Sequence, residues 1–116
     1  MEPLLIEIEK IINQTEAPSY LILDYPFSYL QSDIAACIHH SIYLDTPLDI
    51  AMARRVLRDQ KTRERVSIMN ELKHYLTDSR RAYVHMESTV KPDADLILDG
   101  TRDPEMLVAD VLSYMK

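Results

Sequence analysis

Leu4, Leu5, Ile8, Ile11 and Ile12 recur at spacings of one, three and four, which puts an apolar stripe on one side of a helix, away from Glu7 and Lys10. Pro18 and Ser19 interrupt that pattern. Tyr20, Leu21, Ile22 and Leu23 then form a continuous apolar run closing on Asp24, as in a short strand buried on both faces. Ser32 and Asp33 are placed to cap a helical turn through Ile38, and Ser41 to Leu44 reads as a second buried strand closing on Asp45. Thr46 as N-cap, Pro47 at the first helical position and Asp49 three residues past the cap predict a helix to about Gln60. Met69, Leu72, Leu76, Tyr83 and Met86 keep helical spacing, with a bend expected near Asp78 and Ser79. Ala94 to Leu98 supplies a third apolar strand closing on Asp99, and Gly100 makes the turn. Asp103 and Pro104 open a last helix with Leu107, Val108, Val111, Leu112 and Met115 on its apolar side.

Strands alternating with helices predict an α/β fold: a short parallel sheet of about three strands with helices on both faces, in a single domain over residues 1–116. Ligands of such sheets bind outside the carboxyl ends of the strands. Asp24, Asp45 and Asp99 stand at those ends, so a site is expected around some of them.

Composition narrows the chemistry. Nineteen acidic against 13 basic residues give a formal charge of −6, which disfavours a nucleic-acid partner, because that needs a concentrated positive surface. The one cysteine, Cys37, can form neither an internal disulfide nor a cysteine-rich zinc site, and the start Met1-Glu2-Pro3 lacks a signal peptide's basic residues. No apolar run approaches the ~18 residues of a membrane span, and a cytoplasmic location is expected. Average usage of ~7% would give about eight glycines, and there is one, Gly100. Neither G-x-x-x-x-G-K-[ST] nor G-x-G-x-x-G can be written with it, so these residues hold no standard phosphate loop.

The strongest concentration of candidate chemistry is Arg54, Arg55, Arg58, Arg63 and Arg65. The first three span a contiguous arc of one helix, and guanidinium matches phosphate oxygens in a bidentate fork, so the group could neutralise a polyanion the size of a nucleoside triphosphate. The alternative is a solvated helix face paired with Asp49, Asp59 and Glu64. Asp24 could hold Mg²⁺ directly or through water, or could serve as a turn aspartate. A metal site of Asp24, Asp45 and Asp99 in an enzyme of another class is a further alternative. His39, His40, His74 and His85 show no zinc spacing, and Ser28, Ser41 and Cys37 lack nucleophile-elbow glycines and a placed base. Tyr25, Phe27 and Tyr29 are expected to pack a Pro26 loop onto the core rather than to stack on a base.

Asp45-Thr46-Pro47 followed by Ala53-Arg54-Arg55-Val56-Leu57-Arg58-Asp59 resembles the carboxyl-terminal half of the uridine kinase family of P-loop kinases. In that family a strand ending in D-T leads to a helix with R-R-x-x-R-D, a lid with R-G-R, a strand A-D-x-I-I and a final helix. Here the lid is Arg63-Glu64-Arg65 and the strand Ala94-Asp95-Leu96-Ile97-Leu98, and the resemblance runs from about Tyr20 to the end. It implies a partial P-loop NTPase fold. It also implies that Asp24 is the strand-end acid assisting Mg²⁺, and that Arg54, Arg55, Arg58, Arg63 and Arg65 are lid arginines stabilising the transferred phosphoryl group, with Arg58 and Arg63 on ATP.

Glu64 departs from the family by replacing the lid glycine, and the family's first strand, phosphate loop and nucleoside-binding segment have no counterpart. The resemblance thus implies the carboxyl-terminal portion of an ATP-dependent nucleoside-type phosphotransferase. Mg²⁺ and ATP are its cofactors, but no binding or catalysis is expected of this chain alone. A non-catalytic interaction or oligomerisation module is the alternative. In the family's strand order the absent strand lies between residues 20–24 and 41–45, so those two segments are expected to collapse together, or a second copy or the missing amino-terminal segment to fill the gap through the sheet edges.

Overall fold

Leu5 and Ile8 turn inward from the first helix, α1 (Pro3–Ile12), as the apolar stripe predicts, while Ile12 at its end stays more than half exposed. The computed structural model describes residues 3–116, which divide into two compact units, up to His39 and from His40 onward. In the first, Leu5 and Ile8 meet Ile34 of the one-turn helix α2 (Ser32–Ala35), with Leu4, Leu23, Tyr25, Cys37 and Ile38 packed around them. Tyr25 sets its ring edge-on to Phe27 at 5.6 Å, so the Pro26 loop does carry an aromatic onto this core. The cap of α2 differs from expectation. Gln31, one residue before Ser32, supplies it: its Oε1 accepts from the amides of Asp33 (2.8 Å) and Ile34 (3.3 Å). The helix stops at Ala35 instead of reaching Ile38.

Residues 20–24 form no strand. Ile22 is 91% exposed and Tyr20 71%, and only Leu23 of that apolar run packs inward. A continuous apolar run becomes a buried strand only where neighbours take up its N–H and C=O groups, and among the described residues the sheet is made of two other segments. The three-strand expectation is corrected to two.

The second unit runs β1 (Ile42–Asp45), α3 (Leu48–Asp59), α4 (Arg65–His74), a five-residue π-helical segment (Tyr75–Ser79), α5 (Arg80–Thr89), β2 (Leu96–Asp99) and α6 (Pro104–Tyr114). The strands pair in parallel, Ile42 opposite Leu96 through Asp45 opposite Asp99, as a helical crossover between them requires. The ladder is extended at both ends. Ser41 O accepts from the amides of Asp95 (2.8 Å) and Leu96 (3.1 Å), the Ser41 amide donates to Asp95 Oδ2 at 2.7 Å, and at the far end the Gly100 amide donates to Asp45 O at 2.8 Å.

Leu98 and Val90 are buried, but Ile42, Leu44 and Ile97 are not, so β1 lacks the two-sided burial its sequence predicts; a sheet of two four-residue strands offers too little neighbouring surface. Asp78 and Ser79, where a bend is expected, lie in the π segment. Helix α6 opens at Pro104 as expected. Helix α3 instead begins at Leu48, with Pro47 and not Thr46 in the cap position. Thr46 packs against the turn after β2. A Cβ placed on residue 100 would collide with its Oγ1, so residue 100 must be glycine for the strand ends to close.

Candidate functional site

The carboxyl ends of β1 and β2 bring Asp45 and Asp99 into adjacent register. Each carboxylate is engaged locally. Asp99 Oδ1 accepts from the Thr101 hydroxyl (2.6 Å) and amide (2.9 Å), and these bonds, helped by the positive charges of Arg102 and Arg54, hold its pKa below the usual aspartate value. Asp45 Oδ2 accepts from Lys91 Nζ at 2.9 Å, which raises the lysine's pKa. Burial and the negative charges of Glu87 and Asp45 raise that of Tyr43. Among the described residues, no three His, Cys, Asp or Glu side chains are grouped so as to hold a metal ion.

Helix α3 follows β1 directly and carries three of the five candidate arginines. Its 12 residues hold Arg54, Arg55 and Arg58, and the structure sends them in different directions. Arg54 Nη1 donates to Gly100 O at 2.7 Å, tying α3 to the turn after β2. Arg55 Nη2 donates to Glu71 Oε1 at 2.5 Å, and Arg63 Nη1 donates to the other oxygen of the same carboxylate, also at 2.5 Å. Asp59, buried at 8% exposure, accepts from Arg63 (3.3 Å) and from Arg58 Nε (3.2 Å) and lies 3.9 Å from Arg55 Nε. That Arg55 nitrogen is buried with no hydrogen-bond partner, beside a cavity of about 10 Å³ lined by Met52, Val56, Asp59, Ile68 and Glu71.

Five candidate arginines therefore resolve into one structural tie, Arg54; one bridged pair, Arg55 and Arg63; one guanidinium 73% exposed, Arg58; and Arg65, which opens α4 on the surface. The local acids named as partners divide too: Asp59 is used, whereas Asp49 and Glu64 form no ion pair with these arginines among the described residues. Glu71 is the residue that the sequence reading missed. It lies 16 positions from Arg55, beyond any local helical spacing, and the register of α4 against α3 brings it in. Lys91 and Arg102 were missed as well; the first is paired across the fold with Asp45 and the second with Asp110 of α6. Asp24 lies exposed in the irregular segment of the first unit, and the arginines belong to the second.

A uridine kinase of Vibrio atlanticus (strain LGP32) is 38% identical to this chain over 61 residues, 53% of this chain and 28% of that protein. The stretch lies in the carboxyl-terminal region, and the chain covers little more than a quarter of that relative's length. No protein-family profile matches the chain, and no solved structure does. The similarity supports a kinase-like origin. The fold it accompanies is mixed α/β with two parallel strands.

Proposed function

We propose that these 116 residues form the carboxyl-terminal portion of a uridine kinase-like ATP-dependent phosphotransferase, and that, against the expectation of no binding drawn from the missing phosphate loop, the arginines bind polyphosphate on their own without transferring it. The observation that carries this reading is the emergence of an arginine-rich helix directly from the carboxyl end of a parallel strand, where α/β sheets place ligands. Arg55 and Arg58 of that helix, with Arg63 and Arg65 after it, offer charge to phosphate oxygens, with Arg58 and Arg63 toward ATP, and Arg54 positions the helix on the strand-end turn. Asp24, in the first unit, is carried over as an acid for Mg²⁺ on the family resemblance alone. Transfer is not expected, because a chain with one glycine lacks the backbone cradle that holds β- and γ-phosphates. The test is incubation with Mg²⁺-ATP and uridine, followed by chromatography for the phosphorylated nucleoside, beside a binding titration with ATP. Binding that weakens with salt, without product, is expected; product formation or no binding at all refutes the reading.

A second reading has its own support. Ile42, Leu44 and Ile97 leave apolar surface on a sheet with two open edges, which suits an interaction module that pairs with a second copy or with a further segment of the same protein. Sedimentation equilibrium at micromolar concentration should then show a dimer, and a strict monomer would exclude self-pairing.

A further inference from the structure

Glu71 holds two guanidiniums with one carboxylate. Its Oε1 takes Arg55 and its Oε2 takes Arg63, both at 2.5 Å, while the buried Asp59 contacts both arginines from α3. Two guanidiniums converging on two oxygens of one anion is the arrangement that guanidinium pairs make with phosphate. Glu71 and the two arginines are each about one-third exposed, so the carboxylate can leave and an anion can reach its place from solvent. Arg55 Nε makes no hydrogen bond and faces Asp59 Oδ2 at 3.9 Å, which leaves the outer nitrogens of the pair to the bridging anion.

We infer that Arg55 and Arg63 form an anion subsite, positioned by Asp59, which Glu71 occupies in the absence of ligand and which a polyphosphate takes by displacing it. This rests on the polyphosphate reading above and adds its regulation: the chain carries a competitor for its own site. The charges explain the direction of the effect. With Glu71 in place, the pair is neutralised by one bridging and one buried carboxylate; with Glu71 gone, Asp59 balances only part of the charge of Arg55, Arg58 and Arg63, and net positive potential returns. Ligand binding therefore has to overcome an internal ion pair, and removing that pair strengthens binding.

The experiment is calorimetric titration of the full chain with inorganic tripolyphosphate at fixed low salt, comparing wild type with Glu71→Gln and with Glu71→Gln plus Arg63→Gln. Glu71→Gln is expected to tighten binding roughly fivefold, as loss of one partly exposed competing pair implies, and the added Arg63→Gln to abolish the gain. Binding by wild type that Glu71→Gln leaves unchanged or weakens overturns the inference and leaves the polyphosphate reading standing. No binding by any variant overturns both. A second measurement needs no variant: in ¹⁵N-resolved spectra of arginine side chains, tripolyphosphate must shift Arg55 and Arg63 of the wild type. Shifts confined to Arg58 and Arg65 would place the anion elsewhere and sink the subsite.

Discussion

In residues 3–39 the buried hydrophobic side chains are Leu5, Ile8 and Ile34, and the ion pair described there, Lys10 with Glu7, is about two-thirds exposed on both sides. In residues 40–116 the balance is reversed. Leu98 and Val90 are buried, but so is Asp59, and ion pairs link α3 to α4, β1 to the turn after α5, and Arg102 to α6. The first unit is organised by removing apolar area from water, a non-directional force that tolerates an irregular backbone such as that of residues 20–24. The second depends on directional bonds among charged groups, whose worth varies with pH, salt and competing anions. Charge is thus concentrated in the second unit, where Arg55, Arg58 and Arg63 gather around Asp59 and Glu71.

Three perturbations sharpen this contrast. The largest effect is expected from Ile34→Ala, which empties a fully buried position in a small core and should cost about 3 kcal/mol. Amide exchange should quicken over residues 3–39 and hold near wild-type rates over 40–116; equal acceleration of both units would break the distinction. Next is Gly100→Ala. The new methyl must displace Thr46, at a cost of about 2 kcal/mol, loosening the end of the β1–β2 ladder while the first unit is spared. Chemical denaturation with residue-resolved amide exchange reads both.

The smallest effect is that of pH. Asp99 has a folded pKa below its unfolded value, so its contribution is complete above about pH 4, the ordinary aspartate range, and is lost as pH falls through the lowered folded value. Asp99→Asn should flatten the acid side of the stability profile. Lys91 and Tyr43 have raised values, so their contributions are complete below the unfolded pKa values near 10 and are lost as pH rises through the folded ones. Lys91→Met should therefore flatten the alkaline side. An unchanged profile in either variant would remove its group from the account.

Much of the helical content was readable because helix signals are local. The stripe of α1 and the proline start of α6 depend on residues within a few turns of one another. The strands were harder. Tyr20 to Leu23 and Ser41 to Leu44 look alike as apolar runs, yet only the second finds a strand to pair with, and pairing is decided by residues more than 50 positions away. The same divide separates Thr46, assigned to a cap from its neighbours but used against Gly100, and Ser32, whose place Gln31 takes because its longer amide reaches the same amides. At the candidate site the arginines were visible as a cluster. Their division among Gly100 O, Glu71 and Asp59 was not, since each partner is chosen by how helices lie together.

The π segment at Tyr75–Ser79 also alters how the long helix should be read. Fitting one more residue than an ordinary helix into the same advance rotates everything downstream by about 100° around the axis. Side chains that form one line on a regular helical wheel are split into two lines there: Leu76 is 77% exposed while Leu72 before it and Met86 beyond it are half-buried. Deleting a single residue from that bulge would turn α5 to show solvent a different side without changing the composition of either half.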